Sequence, residues 1–229
     1  MTNAYLLNLL HLTDPTLPIG GFSHSAGLET YVQQGIVCDK NSANDFIVNM
    51  LLFNLRFTDA ALVSLAYDAA LNEDLNAILH LDETCSAVKL AKEIRQASEK
   101  LGIRLLKIFS GLTDQRLLRN YQSAISNGDA SGHFCIAFGI MGALLEIPKR
   151  ETIQGFYYNA AAGMVTNSVK LIPLGQQDGQ RILFGLHALI QQLSKLTLNP
   201  DVDLIGLCCP AFDMRSMQHE RLYSRLYMS

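Results

Sequence analysis

SAVKLAKEIRQASEKLGIRLLKIFS, residues 86–110, decides the fold class. Within it Ala87, Ala91, Ile94, Ala97, Leu101, Leu105 and Ile108 recur every three or four residues, while Lys89, Lys92, Glu93, Arg95, Glu99, Lys100, Arg104 and Lys107 fill the opposite face. That period predicts one amphipathic helix laid on a core. Working outward, residues 23–34 read as a helix with Ser23 as its cap and Gly35 as its stop, because glycine enters the left-handed conformation without steric cost. Ser42 reads as the cap of a run through FIVNMLLFNLRF, and DAALVSLAYDAAL continues the pattern. HFCIAFGIMGALL, the stretch 150–171 and DGQRILFGLHALIQQLSKL supply further helices, with Pro148 and Pro173 at their boundaries. No sustained alternation of period two appears. The expectation is an all-α, single-domain bundle of about eight to ten helices over residues 1–229, with 208–229 as a C-terminal docking tail.

Charge is the anomaly. Asp, Glu, Lys and Arg make up 17% of the 229 residues, against about 25% in an ordinary soluble domain. Hydrophobic residues make up 49%, and mean hydropathy is +0.16. Such a chain either enters a membrane or covers uncharged surface with other protein. The start, MTNAYLLNLLHLTDP, has no basic residue before its apolar run, and the uncharged stretches 131–145 and 152–169 carry polar residues, glycines and alanines, so no membrane span is expected. The charge-poor stretches 132–147 and 152–169, with the tail, are expected to carry partner contacts. A net charge of −3 without a long basic run argues against nucleic acid. Five scattered cysteines without C-x-x-C spacing, Cys208 and Cys209 among them, fit a reduced cytoplasmic protein.

Catalytic signatures are missing. The sequence has no GxxxxGK[ST], HExxH, EF-hand loop or GxSxG. Its six histidines are dispersed, none with a His or Cys partner three or four residues away, so no fixed metal site is expected. A small all-α enzyme using a buried histidine such as His133 or His187, or a helical adaptor, is the alternative reading.

Two segments ask for a partner. In LPIGGFSHSAGLETY, residues 17–31, Gly20 and Gly21 allow close backbone approach, and Ser25, Ala26 and Gly27 leave a helix start nearly bare, open to another helix of the same chain or to a second subunit. The end, PAFDMRSMQHERLYSRLYMS, is apolar where chain ends are normally polar. Leu222, Tyr223, Leu226 and Tyr227 repeat there at helical spacing beside Arg221 and Arg225. Such a stripe can dock on its own core or enter a partner's groove.

At these residues the chain resembles the UreF family of urease accessory proteins. LPIGGFSHSAGLE, VKLIPLGQQDGQRIL and SMQHERLYSRLYMS carry the resemblance, with GHFCIAFG as a weaker fourth, in the family's order along the chain. The resemblance implies a non-catalytic, cytoplasmic nickel-insertion chaperone that forms a homodimer, binds UreD (also called UreH) and recruits the GTPase UreG to deliver nickel to apo-urease. It places Arg215, Met217, His219, Glu220, Leu222, Tyr223, Arg225 and Leu226 in the tail that docks UreD. Gly20, Gly21, Ser23, His24, Ser25, Glu29, Tyr31 and Lys170 fall near dimer or UreG contacts. Nickel is then handled transiently rather than bound as a cofactor, with His24 and His219 as the candidates for passing contact, and Cys208 and Cys209 fall outside the family pattern.

Overall fold

A computed structural model describes residues 4–25, 27–207 and 209–228. Among these the chain is all-α, without a strand. The helices are α1 (Tyr5–Leu12), α2 (Leu28–Gln33), α3 (Lys40–Asn49), α4 (Asp59–Leu71), α5 (Leu75–Val88), α6 (Lys92–Ser110), α7 (Arg116–Asn127), α8 (Phe134–Leu144), α9 (Lys149–Leu171), α10 (Gln176–Gly185), α11 (His187–Leu196) and α12 (Pro210–His219). Only Leu186 separates α10 from α11, so the pair reads in sequence as one.

The centre is α8 packed on α4. FCIAFGIMGAL is apolar all round, and a helix without a polar face has to be buried; residues 135–143 are all buried. A Cβ on Gly139 would stand 2.5 Å from the Val63 carbonyl oxygen, so glycine is what lets the two backbones approach this closely. The expectation that residues 132–147 face a partner is therefore corrected: their lack of charge serves the interior. α6 lies on the other side of α8 and α9 runs along α4 and α8.

Two further corrections concern helix ends. The cap of α3 is Asp39, whose carboxylate accepts from the Ser42 amide at 2.8 Å, while Ser42 Oγ accepts from the Asp39 amide at 3.0 Å. Ser42 is thus the reciprocal half of a capping box. After Asn49 the run 40–71 passes through a π-helical turn, Met50–Asn54, and a short 3-10 turn, Leu55–Phe57, before α4 begins. By length and composition this run could cross a membrane, yet half of its most apolar window is buried within the molecule, as a core helix is.

Residues 86–110 do not form one helix. The chain breaks over Lys89, Leu90 and Ala91, between α5 and α6. Lys89 turns inward, and its Nζ donates to both carboxylate oxygens of Asp59 at 2.8 Å. Thr58 Oγ1 also donates to Asp59, and Arg95 Nη1 donates to the Lys89 carbonyl at 2.9 Å. Both charged side chains are nearly buried, at 10% and 13% exposure. Burial opposes charge on each, and the mutual attraction outweighs it, holding the Asp59 carboxyl below 3.8 and the Lys89 ammonium above 10.5. Nearby, the buried carboxylate of Asp82 accepts from Tyr121 Oη at 2.7 Å and from the amides of Ser131, Gly132 and His133. A negative charge thereby meets the N-terminus of α8.

Lys89→Met should cost roughly 3–5 kcal/mol, because it leaves Asp59 buried without a counter-charge, whereas Asp59→Leu combined with Lys89→Met should recover most of that. The pair's contribution is present between the two ordinary ranges. It is lost as pH falls through the lowered Asp59 value, and again as pH rises through the raised Lys89 value. Urea unfolding across pH checks both points: the double variant should show a flatter profile than the wild type at both extremes, and a full stability for Lys89→Met alone would refute the assignment.

Candidate functional site

The two segments that ask for a partner lie against each other. The expected helix over 23–34 is corrected first. Residues 21–23 form a 3-10 turn, His24 is extended, and α2 begins only at Leu28. Ser23 does not cap it; Ser23 Oγ donates to the Gly20 carbonyl at 2.8 Å. The helix starts late because Gly27 takes a left-handed φ of +80°, and because α12 occupies the space a Cβ there would fill, 2.7 Å from Ser216 Oγ. The bare helix start receives another helix of the same chain. Ala26 lies outside the described residues.

At the head of α2, Ser25 and Glu29 are buried, and the Glu29 amide donates to Ser25 Oγ at 3.5 Å. The Glu29 carboxylate accepts from the Leu226 amide at 2.7 Å and the Tyr227 amide at 3.1 Å, and faces His219 Nε2 at 3.1 Å. The other ring nitrogen of His219, Nδ1, lies 2.7 Å from Glu93, and Arg225 Nη1 donates to the same Glu93 carboxylate at 2.6 Å. The doubly protonated ring donates to both carboxylates and the neutral ring to one of them. Gln33 donates to the Ser224 carbonyl, Gln34 to the Gln218 side chain, and the Met228 amide to the Ser23 carbonyl.

These contacts correct the reading of the tail as a helical stripe. α12 ends at His219, and residues 220–228 form turns. A buried carboxylate is a stronger acceptor for the Leu226 and Tyr227 amides than a helix carbonyl. The tail docks on its own core through its backbone, its charged groups and Tyr227, while Tyr223, Leu226 and Met228 point away. Tyr227 is buried, but Tyr223 is fully exposed, Leu226 is 67% exposed and Met228 59%. Met217 and Glu220 are exposed, Leu222 is half-buried, and Arg215 donates to Gln218.

The remaining residues singled out in the sequence border this latch. Gly20 holds a left-handed φ of +87°, Gly21 is exposed, and Tyr31 packs on Phe46 with ring centroids 5.1 Å apart. The His24 carbonyl accepts from Asn167 Nδ2 at 2.9 Å. His24 borders a cavity of about 390 Å3 that also touches Asp59, Lys89, Ser98, Phe134 and Phe212. Burial, then Lys100 and Arg104, hold the His24 imidazole below its ordinary value, which favours the neutral ring. Lys170 is exposed in the last turn of α9, three residues beyond Asn167. Among the described residues no group of three or more His, Cys, Asp or Glu side chains is arranged to hold a metal ion. Cys208 lies outside the described residues; Cys209 Sγ donates to the Phe53 carbonyl at 3.2 Å. His133 is fully buried with its ring nitrogens at Ser86 and Ser98, and exposed His187 lies with its ring tilted against that of Phe184.

Sequence reasoning missed Glu93. It stands among the charged residues of the amphipathic run and reads as solvated, and only the break at 89–91 sets it in the first turn of α6, facing the tail.

The UreF family model matches residues 37–187. A urease accessory protein UreF from Actinobacillus pleuropneumoniae serotype 5b is 51% identical over 221 residues, covering 96% of this chain and 97% of the relative. One from Haemophilus influenzae strain KW20 is 48% identical over 221 residues, 96% of this chain and 94% of the relative. Another, from Lachnoclostridium phytofermentans, is 36% identical over 225 residues, covering 98% and 99%.

Glu29→Ala removes the acceptor for two tail amides and one His219 nitrogen, and should cost roughly 3 kcal/mol. Hydrogen exchange should then lose protection at the Leu226 and Tyr227 amides, with Glu29→Gln in between. Unchanged protection in Glu29→Ala would show that Glu29 does not hold the tail.

Proposed function

This chain belongs to the UreF family of urease accessory proteins, and from that premise we propose that it is a non-catalytic cytoplasmic scaffold for nickel insertion into apo-urease. In this reading it pairs with a second copy, docks UreD (UreH) through residues 215–226, and presents the 20–31 segment and Lys170 to the dimer contact or to UreG. The observation that supports it best is the two-sided tail. Glu29, His219, Glu93 and Arg225 clamp its inner side, leaving Tyr223, Leu226, Met217 and Met228 displayed to solvent. Exposed tyrosine and methionine side chains of this kind are enriched in interface cores.

Nickel is cargo in this scheme, and GTP hydrolysis belongs to UreG, in keeping with the lack of a P-loop sequence. Transfer calls for weak, displaceable ligation. His219, with both ring nitrogens at carboxylates, is available to a metal only when the latch loosens. His24, with its neutral ring favoured and bordering the cavity, is the better placed of the two for a passing contact.

Removal of 213–229 would strip the partners from Glu29 and Glu93, so side-chain truncation is the cleaner test. Tyr223→Ala combined with Leu226→Ala leaves every backbone contact of the latch in place and should change stability by no more than about 0.5 kcal/mol. Affinity for UreD should fall about 30-fold or more, at roughly 2 kcal/mol for a lost hot spot. Size-exclusion chromatography with light scattering, of the protein alone and with UreD, reads both dimerisation and docking; undiminished UreD binding by the double variant would overturn the tail assignment.

A further inference from the structure

Beneath the Lys89–Asp59 pair lie two thiols that the proposed scaffold role does not use. Cys85 on α5 and Cys135 on α8 are both fully buried, with sulfur atoms 3.5 Å apart. Fifty residues separate them, so nothing in the sequence pairs them. A disulfide needs about 2.05 Å between the sulfurs, so a shift of roughly 1.5 Å, shared between two side chains, would close the bond. Cys85 sits one helical turn before Lys89, and His133 stands two residues before Cys135. Burial alone would raise the Cys85 thiol, but contact with Cys135 and His133 and the nearby Lys89 ammonium outweigh it and bring Cys85 down, while burial and its neighbour hold Cys135 up. One sulfur of the pair is thus favoured as the thiolate, the form that reacts.

We propose that Cys85 and Cys135 are a peroxide-oxidisable thiol pair that closes into a disulfide joining α5 to α8. Neither sulfur lines the cavity of about 390 Å3 bounded by Asp59, Lys89, Ser98 and Phe134, so peroxide has to pass that wall to reach Cys85. The wall includes Lys89, which pairs with Asp59, and Ser98, which touches the His133 ring. Hydrogen peroxide is small enough for that space. In the first step the Cys85 thiolate attacks one peroxide oxygen, the O–O bond breaks, and the departing hydroxide takes up a proton as water, leaving a sulfenic acid. Cys135 then attacks that sulfur, the S–O bond breaks, and a second water leaves with the Cys135 proton. Two thiols lose two electrons and two protons in all, and one peroxide becomes two waters. The product ties α5 across the helix that forms the centre of the fold, beside the break at 89–91.

Treatment of the folded full-length protein with hydrogen peroxide, followed by alkylation of remaining thiols and non-reducing peptide mapping, tests this. The expected result is a cross-linked peptide containing Cys85 and Cys135, lighter than its two parts by two hydrogens, restored by a phosphine reductant. Thermal unfolding of the oxidised protein should move up by about 5 °C or more, since the link closes a long loop. In Cys135→Ala, a dimedone adduct should appear on Cys85; the wild-type map stands by itself if that variant does not fold. If exposed Cys38 is oxidised while Cys85 and Cys135 remain fully alkylatable after unfolding, the proposal is overturned. Oxidation of Cys85 in the wild type to sulfinic or sulfonic acid without the cross-link overturns it equally.

Discussion

The ion pair between Asp59 and Lys89 organises more of this molecule than its two residues suggest. A chain poor in charge places one of its acids and one of its bases in its interior, each tolerable there only because of the other. Drawing Lys89 inward goes with the end of α5 and the restart of the chain at Lys92. Arg95 reaches back to the Lys89 carbonyl, which fixes the corner. α6 then begins with Glu93 in its first turn, where a carboxylate suits the helix dipole and where His219 and Arg225 find it. The same pair borders the cavity whose other walls include His24 and Phe212. Corner and cavity thus adjoin one buried charge pair, and the helix that restarts after it carries Glu93 to the latch.

What the sequence makes legible follows from the range of the physics. Helix class depends on neighbours three and four residues apart, so the amphipathic period within 86–110 shows α6, while α8 is legible only as an unbroken apolar run. The break at 89–91 is invisible at that range, because Lys89 looks like one more residue on a solvated face until Asp59, 30 positions away, claims it. The latch is less visible still: Glu29 meets His219 across 190 positions and Tyr227 across 198. Family likeness marks both strings without saying that they touch. The tail departs from its helical spacing for a definite reason. Apolar side chains at helical spacing are a fair sign of a helix only where the backbone has no better acceptor, and the Glu29 carboxylate is one.

The shortage of charge also divides differently from a simple sequence reading. α8 is uncharged because it is interior, which removes it as a candidate surface, whereas α9 buries one side and leaves Tyr158, Gly163, Thr166 and Lys170 exposed on the other. Apolar side chains left outside gather elsewhere, among them Leu6, Leu7 and Leu10 on α1, Phe53 in the turn after α3, Phe184 on α10, and the tail. An uncharged segment can therefore signal either packing density or partner contact. Only the helix's own symmetry separates the two: apolar on every face means core, apolar on one outward strip means surface.

Docking on the chain's own core and docking to a partner are usually posed as rival fates for an apolar tail. Here they use different atoms. The amides of Leu226 and Tyr227, the imidazole of His219 and the guanidinium of Arg225 serve the intramolecular contact, while the side chains of Tyr223 and Leu226 serve none. A loose tail of this composition would lose conformational freedom on binding, at about 1–2 kcal/mol for each backbone residue fixed. A clamped one has already lost it, so more of the contact energy of its exposed side chains is left for the partner. Under the proposed scaffold role, the four ionisable side chains of the latch act as positioning residues: they hold the tail in the shape in which it is recognised, and the recognition itself falls to the uncharged side chains between them.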